Sequence, residues 1–176
     1  GKLLQFASGA VYADDGKSWL PVHDQKIEAL KSVIEEAGGE PVLVAYQYRH
    51  ELERILATFP AARELDKDPE TIARWNRGEI PILVAHPAAC GHGLNLQNGG
   101  RILVFFSLGF NYEHYAQMIE RIGPTRQTQA GHPRSVFIYY LVTRGTVDGS
   151  VLQALRKKEK VLDFILGRVK HEKENP

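Results

Sequence analysis

The segment Gln117-Met-Ile-Glu-Arg121-Ile-Gly-Pro-Thr-Arg126 carries the residues best suited to hold a polyphosphate. Guanidinium groups stay charged, and their forked donors match phosphate oxygens. Gln117 and Arg121 are four apart and would share one helix face, whereas Gly123-Pro124 breaks the helix and leaves Arg126 on the loop beyond it. The same spacing on a solvated helix would have no chemical role. A second candidate is Gly91-His92-Gly93-Leu94-Asn95-Leu96. Two glycines two residues apart let the backbone pass close to a phosphate, and the N–H groups of such a loop can form an anion nest. A plain tight turn accounts for that pair of glycines equally well.

Other chemistries find less support. Gly16-Lys17-Ser18 imitates the end of a phosphate-binding P-loop, but Val11 stands where that motif needs glycine. The histidines are scattered, and Cys90 with His92 offers only two ligands, so no metal site is expected. No acidic pair follows a strand in a position to hold magnesium, and no Ser-His-Asp or paired-carboxylate arrangement has a convincing context. Arg156, Lys157, Lys158 and Lys160 form a small basic cluster that suits either a DNA backbone or plain solvation.

The elements that must position these groups follow from hydrophobic period. Ile27, Leu30, Val33 and Ile34 recur at helical spacing between His23 and Glu36, ahead of Gly38-Gly39. PVLVAY at 41–46 is a short apolar run suited to a buried parallel strand, and Leu52, Ile55 and Leu56 mark a helix from Arg49 to Thr58. The alternation continues with a weak strand at 62–65, a helix starting near Asp68-Pro69, and strands at 81–85 and 102–106. A helix over 112–122, a strand at 135–142 and a long helix from about 146–148 to 169 complete the pattern. That last helix carries Leu152, Leu155, Leu162, Ile165, Leu166 and Val169 on one side. Apolar strands alternating with helices predict a three-layer α/β domain with a mostly parallel sheet. In such sheets ligands bind at the carboxyl ends of the strands.

Composition agrees with one such domain. The chain has 176 residues, with 22 Lys plus Arg against 21 Asp plus Glu, and 43% of it is apolar. That balance excludes a polybasic tail or an acidic disordered chain, and leaves any nucleic-acid contact to a local patch. With one cysteine and no eighteen-residue apolar run, an intracellular, cytoplasmic protein is expected. Gly1 opens the chain and Met118 is its only methionine, which is the pattern expected of a piece of something longer.

In order and spacing these segments resemble the second, C-terminal RecA-like domain of superfamily 2 helicase-type ATPases, specifically the Swi/Snf-related branch of bacterial or phage type. PVLVAYQYRHELERIL resembles the first motif of that lobe, HPAACGHGLNLQNGGRILVFF its glycine-rich motif V, and NYEHYAQMIERIGPTRQ its motif VI. GTVDGSVLQALRKKEKVLDFIL resembles the helix after the last strand, and LLQFASGAVY the linker into the lobe. Residues 1–20 would then be a linker or arm, 21–170 the RecA-like domain, and 171–176 a frayed tail.

The resemblance implies a two-lobed motor that closes on ATP and duplex DNA. An N-terminal RecA-like lobe would hold the P-loop and Mg2+, and motif VI arginines would reach the ATP phosphates from across the cleft. Arg126 and Arg121 would be the catalytic arginines, with Gln117, Gly91, Gly93 and Asn95 on the nucleotide side. Gln47, Tyr48, Arg49 and His86 would face DNA. This sequence departs from the family at two points. The second motif VI arginine normally comes three residues after the first, where Pro124 stands, and His86-Pro87 occupy positions that usually carry hydroxyls. A catalytically degenerate DNA-binding or protein-docking module is the alternative, and a small-ligand enzyme with a phosphate site at Gly91–Gly93 a third.

Overall fold

The computed structural model of the chain describes residues 1–90 and 94–174, with the side chains of the last helix described as far as Asp163. Its first twenty-one residues are folded rather than extended: helix α1 (Lys2–Ser8) leads into the antiparallel hairpin of β1 (Ala10–Tyr12) and β2 (Trp19–Pro21). The segment 1–20, expected as a linker or arm, thus carries secondary structure of its own. A seven-residue helix has little stability of its own, and its support comes from residues far along the chain. The buried Arg54 guanidinium donates to Ser8 O at 2.9 Å and to His23 O at 2.7 Å, and Thr143 Oγ1 donates to Ala7 O at 2.8 Å. Gly9 closes the helix with a φ of 97°, where a Cβ would strike His23 O and the Arg54 side chain.

The domain proper contains α2 (Gln25–Glu36), β3 (Val42–Ala45), α3 (Arg49–Thr58), β4 (Ala62–Glu64), α4 (Pro69–Asn76) and β5 (Ile82–Ala85). A 3-10 turn at Pro87–Cys90 follows, then β6 (Ile102–Phe105), α5 (Tyr112–Ile122), α6 (Pro124–Gln129), β7 (Phe137–Tyr140) and α7 (Asp148–Glu174). The helix α7 runs through most of the expected frayed tail at 171–176, of which 175–176 lie outside the described residues. Ile165, Leu166 and Val169, expected on its apolar side, likewise lie outside the described side chains. Strands β3 to β7 form one parallel sheet in the order β4-β5-β3-β6-β7.

The period-2 pattern of the strands divides the core into two layers. Leu43, Ala45, Leu83, Ala85, Leu103 and Phe105 pack with Trp75 of α4, Met118 of α5 and Leu155 of α7. Val42, Val44, Ile82, Val84, Ile102 and Val104 face the other way onto Leu30 of α2 and Leu52 and Ile55 of α3. Each fully buried Leu, Ile or Val contributes roughly 1.5–3 kcal/mol, and both faces must be covered to realise that gain. The expected three-layer α/β architecture is what the chain forms. Among the described residues no helix is long and apolar enough to cross a membrane.

The hairpin docks on α3 through His50, which is fully buried among the rings of Tyr12, Trp19 and Tyr48, with the Tyr48 ring stacked on it at 5.4 Å. Neither ring nitrogen has a partner among the described residues, and burial, with the nearby Arg54 charge, lowers its pKa from 6.5 to about 4. The unfolded chain therefore binds a proton in that window that the folded chain refuses, so stability present above pH 6.5 is lost as pH falls towards 4. Two and a half units correspond to on the order of 3 kcal/mol. Urea unfolding across pH 7 to 4 should show this loss in the native protein and not in His50→Phe; equal pH slopes would remove His50 as its source.

Candidate nucleotide and nucleic-acid site

Strands β3, β5 and β6 end level with one another, since Ala45 pairs with both Ala85 and Phe105. The loops that leave these ends therefore share one rim. One buried carboxylate ties two of the loops together: Glu51 Oε2 accepts from Gln47 N at 2.8 Å, Tyr48 N at 3.1 Å and Ser107 Oγ at 2.7 Å. Burial raises the Glu51 pKa, and the three donors, with Lys26 nearby, oppose that rise. Sequence reasoning passed over Glu51. Its position three residues after Tyr48 is that of a capping-box acid, but the preceding residue is not the Ser or Thr that usually flags one.

Gln47 is half-buried against Gly109, where a Cβ would come within 2.9 Å of Gln47 Oε1. Tyr48 is half-buried on His50, and Arg49 is exposed, with long ion pairs of 3.6 Å to Glu53 and to Glu64. Such pairs hold a side chain weakly, so Arg49 is available to a phosphate. His86 lies beside the Tyr46 ring at 5.4 Å and the His114 ring at 6.4 Å. Its Nδ1 accepts from Ala88 N at 3.2 Å, which leaves the proton of the neutral ring on Nε2. Burial lowers the His86 pKa, and repulsion from His114 lowers it further. His86 is therefore a neutral donor at neutral pH rather than a cation.

The arginines sit elsewhere. His114 belongs to the first turn of α5, while Arg121 belongs to its last, so the helix sets them roughly 10 Å apart along its axis at 1.5 Å per residue. Arg121 is buried: its Nε donates to Cys90 O at 3.0 Å and its Nη1 to Leu94 O at 3.3 Å. It thus grips the chain on either side of Gly91, His92 and Gly93, which themselves lie outside the described residues. Gln117 is half-buried and donates to Glu113 Oε1 at 3.3 Å on its own helix. Asn95 is exposed, and its carbonyl accepts from Asn76 Nδ2 at 2.8 Å. The Cys90 thiol is buried and pushed up to about 12 by that burial, which makes it unreactive.

Arg126 is not on a loop. Gly123 ends α5 and caps α6, Pro124 takes the first position of α6, where proline is favoured, and Arg126 follows within its first turn. The expected break is thus a hinge between two helices, because a proline that cannot continue one helix can begin the next. The Arg126 guanidinium makes no hydrogen bond or ion pair to a described residue and lines a depression of about 420 Å3 with Ile119, Glu120, Thr125 and Gln129. Of the two arginines, Arg121 is committed to the protein's own carbonyls and Arg126 is open to a ligand.

This architecture is shared with helicase lobes of known structure. The C-terminal part of the Fun30 ATPase domain superposes with a TM-score of 0.59 at 20% identity, covering 83% of this chain and 54% of that one. The Hef helicase domain of Pyrococcus furiosus superposes with a TM-score of 0.56 at 19% identity, covering 82% and 30%. The fold is therefore that of a RecA-like helicase lobe. Residues 25–125 match the helicase conserved C-terminal domain, and the chain belongs to that family of helicase-like ATPases. It is 54% identical over 169 residues to protein p41 of Acyrthosiphon pisum secondary endosymbiont phage 1, spanning 96% of this chain and 37% of that protein. It is 26% identical over 165 residues to the chromatin-remodeling ATPase INO80 of Cryptococcus neoformans var. neoformans serotype D, spanning 84% of this chain and 9% of that protein. The chain thus spans well under half the length of these relatives. The resemblance drawn from the motifs, to a Swi/Snf-type second lobe with phage kin, is borne out.

Proposed function

We propose that this chain is the second lobe of a DNA-dependent ATPase motor, and that it completes an ATP cleft whose P-loop and Mg2+ site belong to an N-terminal RecA-like lobe. The observation that carries the reading is the contrast between the two motif VI arginines: Arg121 is satisfied inside the protein, and Arg126 is presented at the surface. A guanidinium delivered to the γ-phosphate stabilises the charge of the phosphoryl-transfer transition state. Arg126 fits that part by charge, by its place on an open depression and by lack of a described partner. The rim at the strand ends fits the duplex backbone, which is gripped through phosphates rather than read by base. There Arg49 supplies charge, and Gln47 and neutral His86 supply hydrogen-bond donors. Pro87 has no N–H to offer, so His86 Nε2 replaces the hydroxyl donors usual at that point.

The test is ATP hydrolysis with and without duplex DNA. The 176 residues alone should show none, whereas the polypeptide extended by its upstream lobe should hydrolyse ATP and accelerate with DNA. Steady turnover by the 176 residues alone would overturn the division of labour. The burial of Arg121 favours a second reading, a lobe that binds DNA without supporting hydrolysis. Salt-sensitive duplex binding by the two-lobed protein, with no ATPase activity, would select it.

A further inference from the structure

The loop that joins β5 to β6 is held through its carbonyls by side chains from four different segments. Arg121 takes Cys90 O and Leu94 O, while Trp75 Nε1 donates to Leu96 O at 2.8 Å. Gly99 and Gly100 lie against the Trp75 indole so closely that a Cβ at Gly99 would collide with it. The far end of the loop is held from α6. Gln127 is fully buried, and its Nε2 donates to Gly100 O at 2.9 Å and to Ile122 O at 3.1 Å. Its Oε1 accepts from Arg134 Nε at 2.9 Å, and Arg134 Nη2 donates onward to Gln97 O at 3.2 Å.

Gln127 is the residue next to Arg126. A six-residue helix cannot fix its own orientation, and nothing else described holds the Arg126 side chain. The amide of Gln127 joins the end of α5, the start of β6 and Arg134 at one point, and all of its polar atoms are satisfied there. Turning α6 would leave a buried amide and two buried carbonyls unpaired, which costs far more than an exposed contact. From this geometry we infer that Gln127 and Arg134 are positioning residues for Arg126, and that they set α6 rigidly against the glycine-rich loop. The inference rests on the reading of Arg126 as the phosphate-facing arginine.

The experiment is a double-mutant cycle in the two-lobed polypeptide, with kcat and KM for ATP measured separately. Arg134 is half-buried and easier to replace than Gln127, so Arg134→Ala is the primary variant. Misplacing a catalytic group by about 1 Å can cost up to 10²-fold, so Arg134→Ala should lower kcat roughly 10- to 100-fold with KM little changed. In an Arg126→Ala background the same substitution should do almost nothing further, because its effect passes through Arg126. Arg134→Lys keeps a donor for Gln127 Oε1 and should recover much of the rate, which also answers any failure of the alanine variant to fold. Equal losses in both backgrounds, or an unchanged kcat for Arg134→Ala, would overturn the positioning role while leaving the function of Arg126 intact. An Arg126→Ala variant that hydrolyses ATP as fast as the native protein would instead remove the role of Arg126 and this inference with it.

Discussion

Arg126→Ala in the two-lobed polypeptide should cut ATP hydrolysis by roughly 10³-fold or more, the range attributed to arginines that neutralise the phosphoryl-transfer transition state. ATP binding should change little. A group that acts mainly on the transition state lowers kcat and kcat/KM together without loosening the ground-state complex. The surroundings of Arg126 make the prediction specific. Its guanidinium has no described partner inside the lobe, so the substitution breaks no hydrogen bond or ion pair of the folded domain and should move the unfolding midpoint little. Arg121→Ala should behave differently: it removes two hydrogen bonds to buried backbone and should destabilise the loop itself. Single-turnover hydrolysis beside nucleotide titration separates the cases. An Arg126→Ala protein with unimpaired turnover would remove the transition-state role assigned to Arg126.

The largest expected loss of stability lies at Lys26. Its Nζ sits 2.7 Å from Asp148 Oδ2, and the two side chains are only 2% and 4% exposed. Asp148 is the first residue of α7 and also accepts from Thr143 N at 3.0 Å, so the pair joins α2 to the start of α7. Lys26→Met would leave the Asp148 carboxylate buried without a counter-charge and would remove the positive charge near Glu51. Breaking a buried pair from one side costs about 3–5 kcal/mol. Urea unfolding of Lys26→Met should show a loss of that size, and Lys26→Met with Asp148→Asn should regain much of it, since no charge then remains to be desolvated. A loss below about 1 kcal/mol, the level of an exposed pair, would show that the site hydrates when the lysine is removed.

The layers and the sheet were legible because their signal is periodic. The runs at 42–45, 82–85 and 102–105 are apolar at every position, as strands covered on both faces must be. The helix over 112–122 showed in its apolar stripe and ended at the expected glycine. Segments fixed by tertiary contacts were not legible. Helix α1 has no stripe and depends on Arg54 and Thr143, and α6 was hidden because Gly-Pro reads as a stop although proline also starts helices. Within the site, the sequence marked Arg121 and Arg126 as a pair. Their difference lies in partners that are backbone carbonyls, which carry no residue-specific signature. Lys26 and Glu51 read as the polar sides of amphipathic helices, and only the packing of α2, α3 and α7 encloses them.

The hydrogen bond from Thr143 to Ala7 also bears on synthesis. Its partners are 136 residues apart, and chains emerge at roughly 5–20 residues per second, so α1 waits on the order of ten seconds for its anchor to be translated. During that interval Ala7 and Ser8, both buried in the finished fold, are open beside Leu3 and Phe6. The first helix of the nascent lobe therefore stays only partly anchored until nearly the whole lobe has been made.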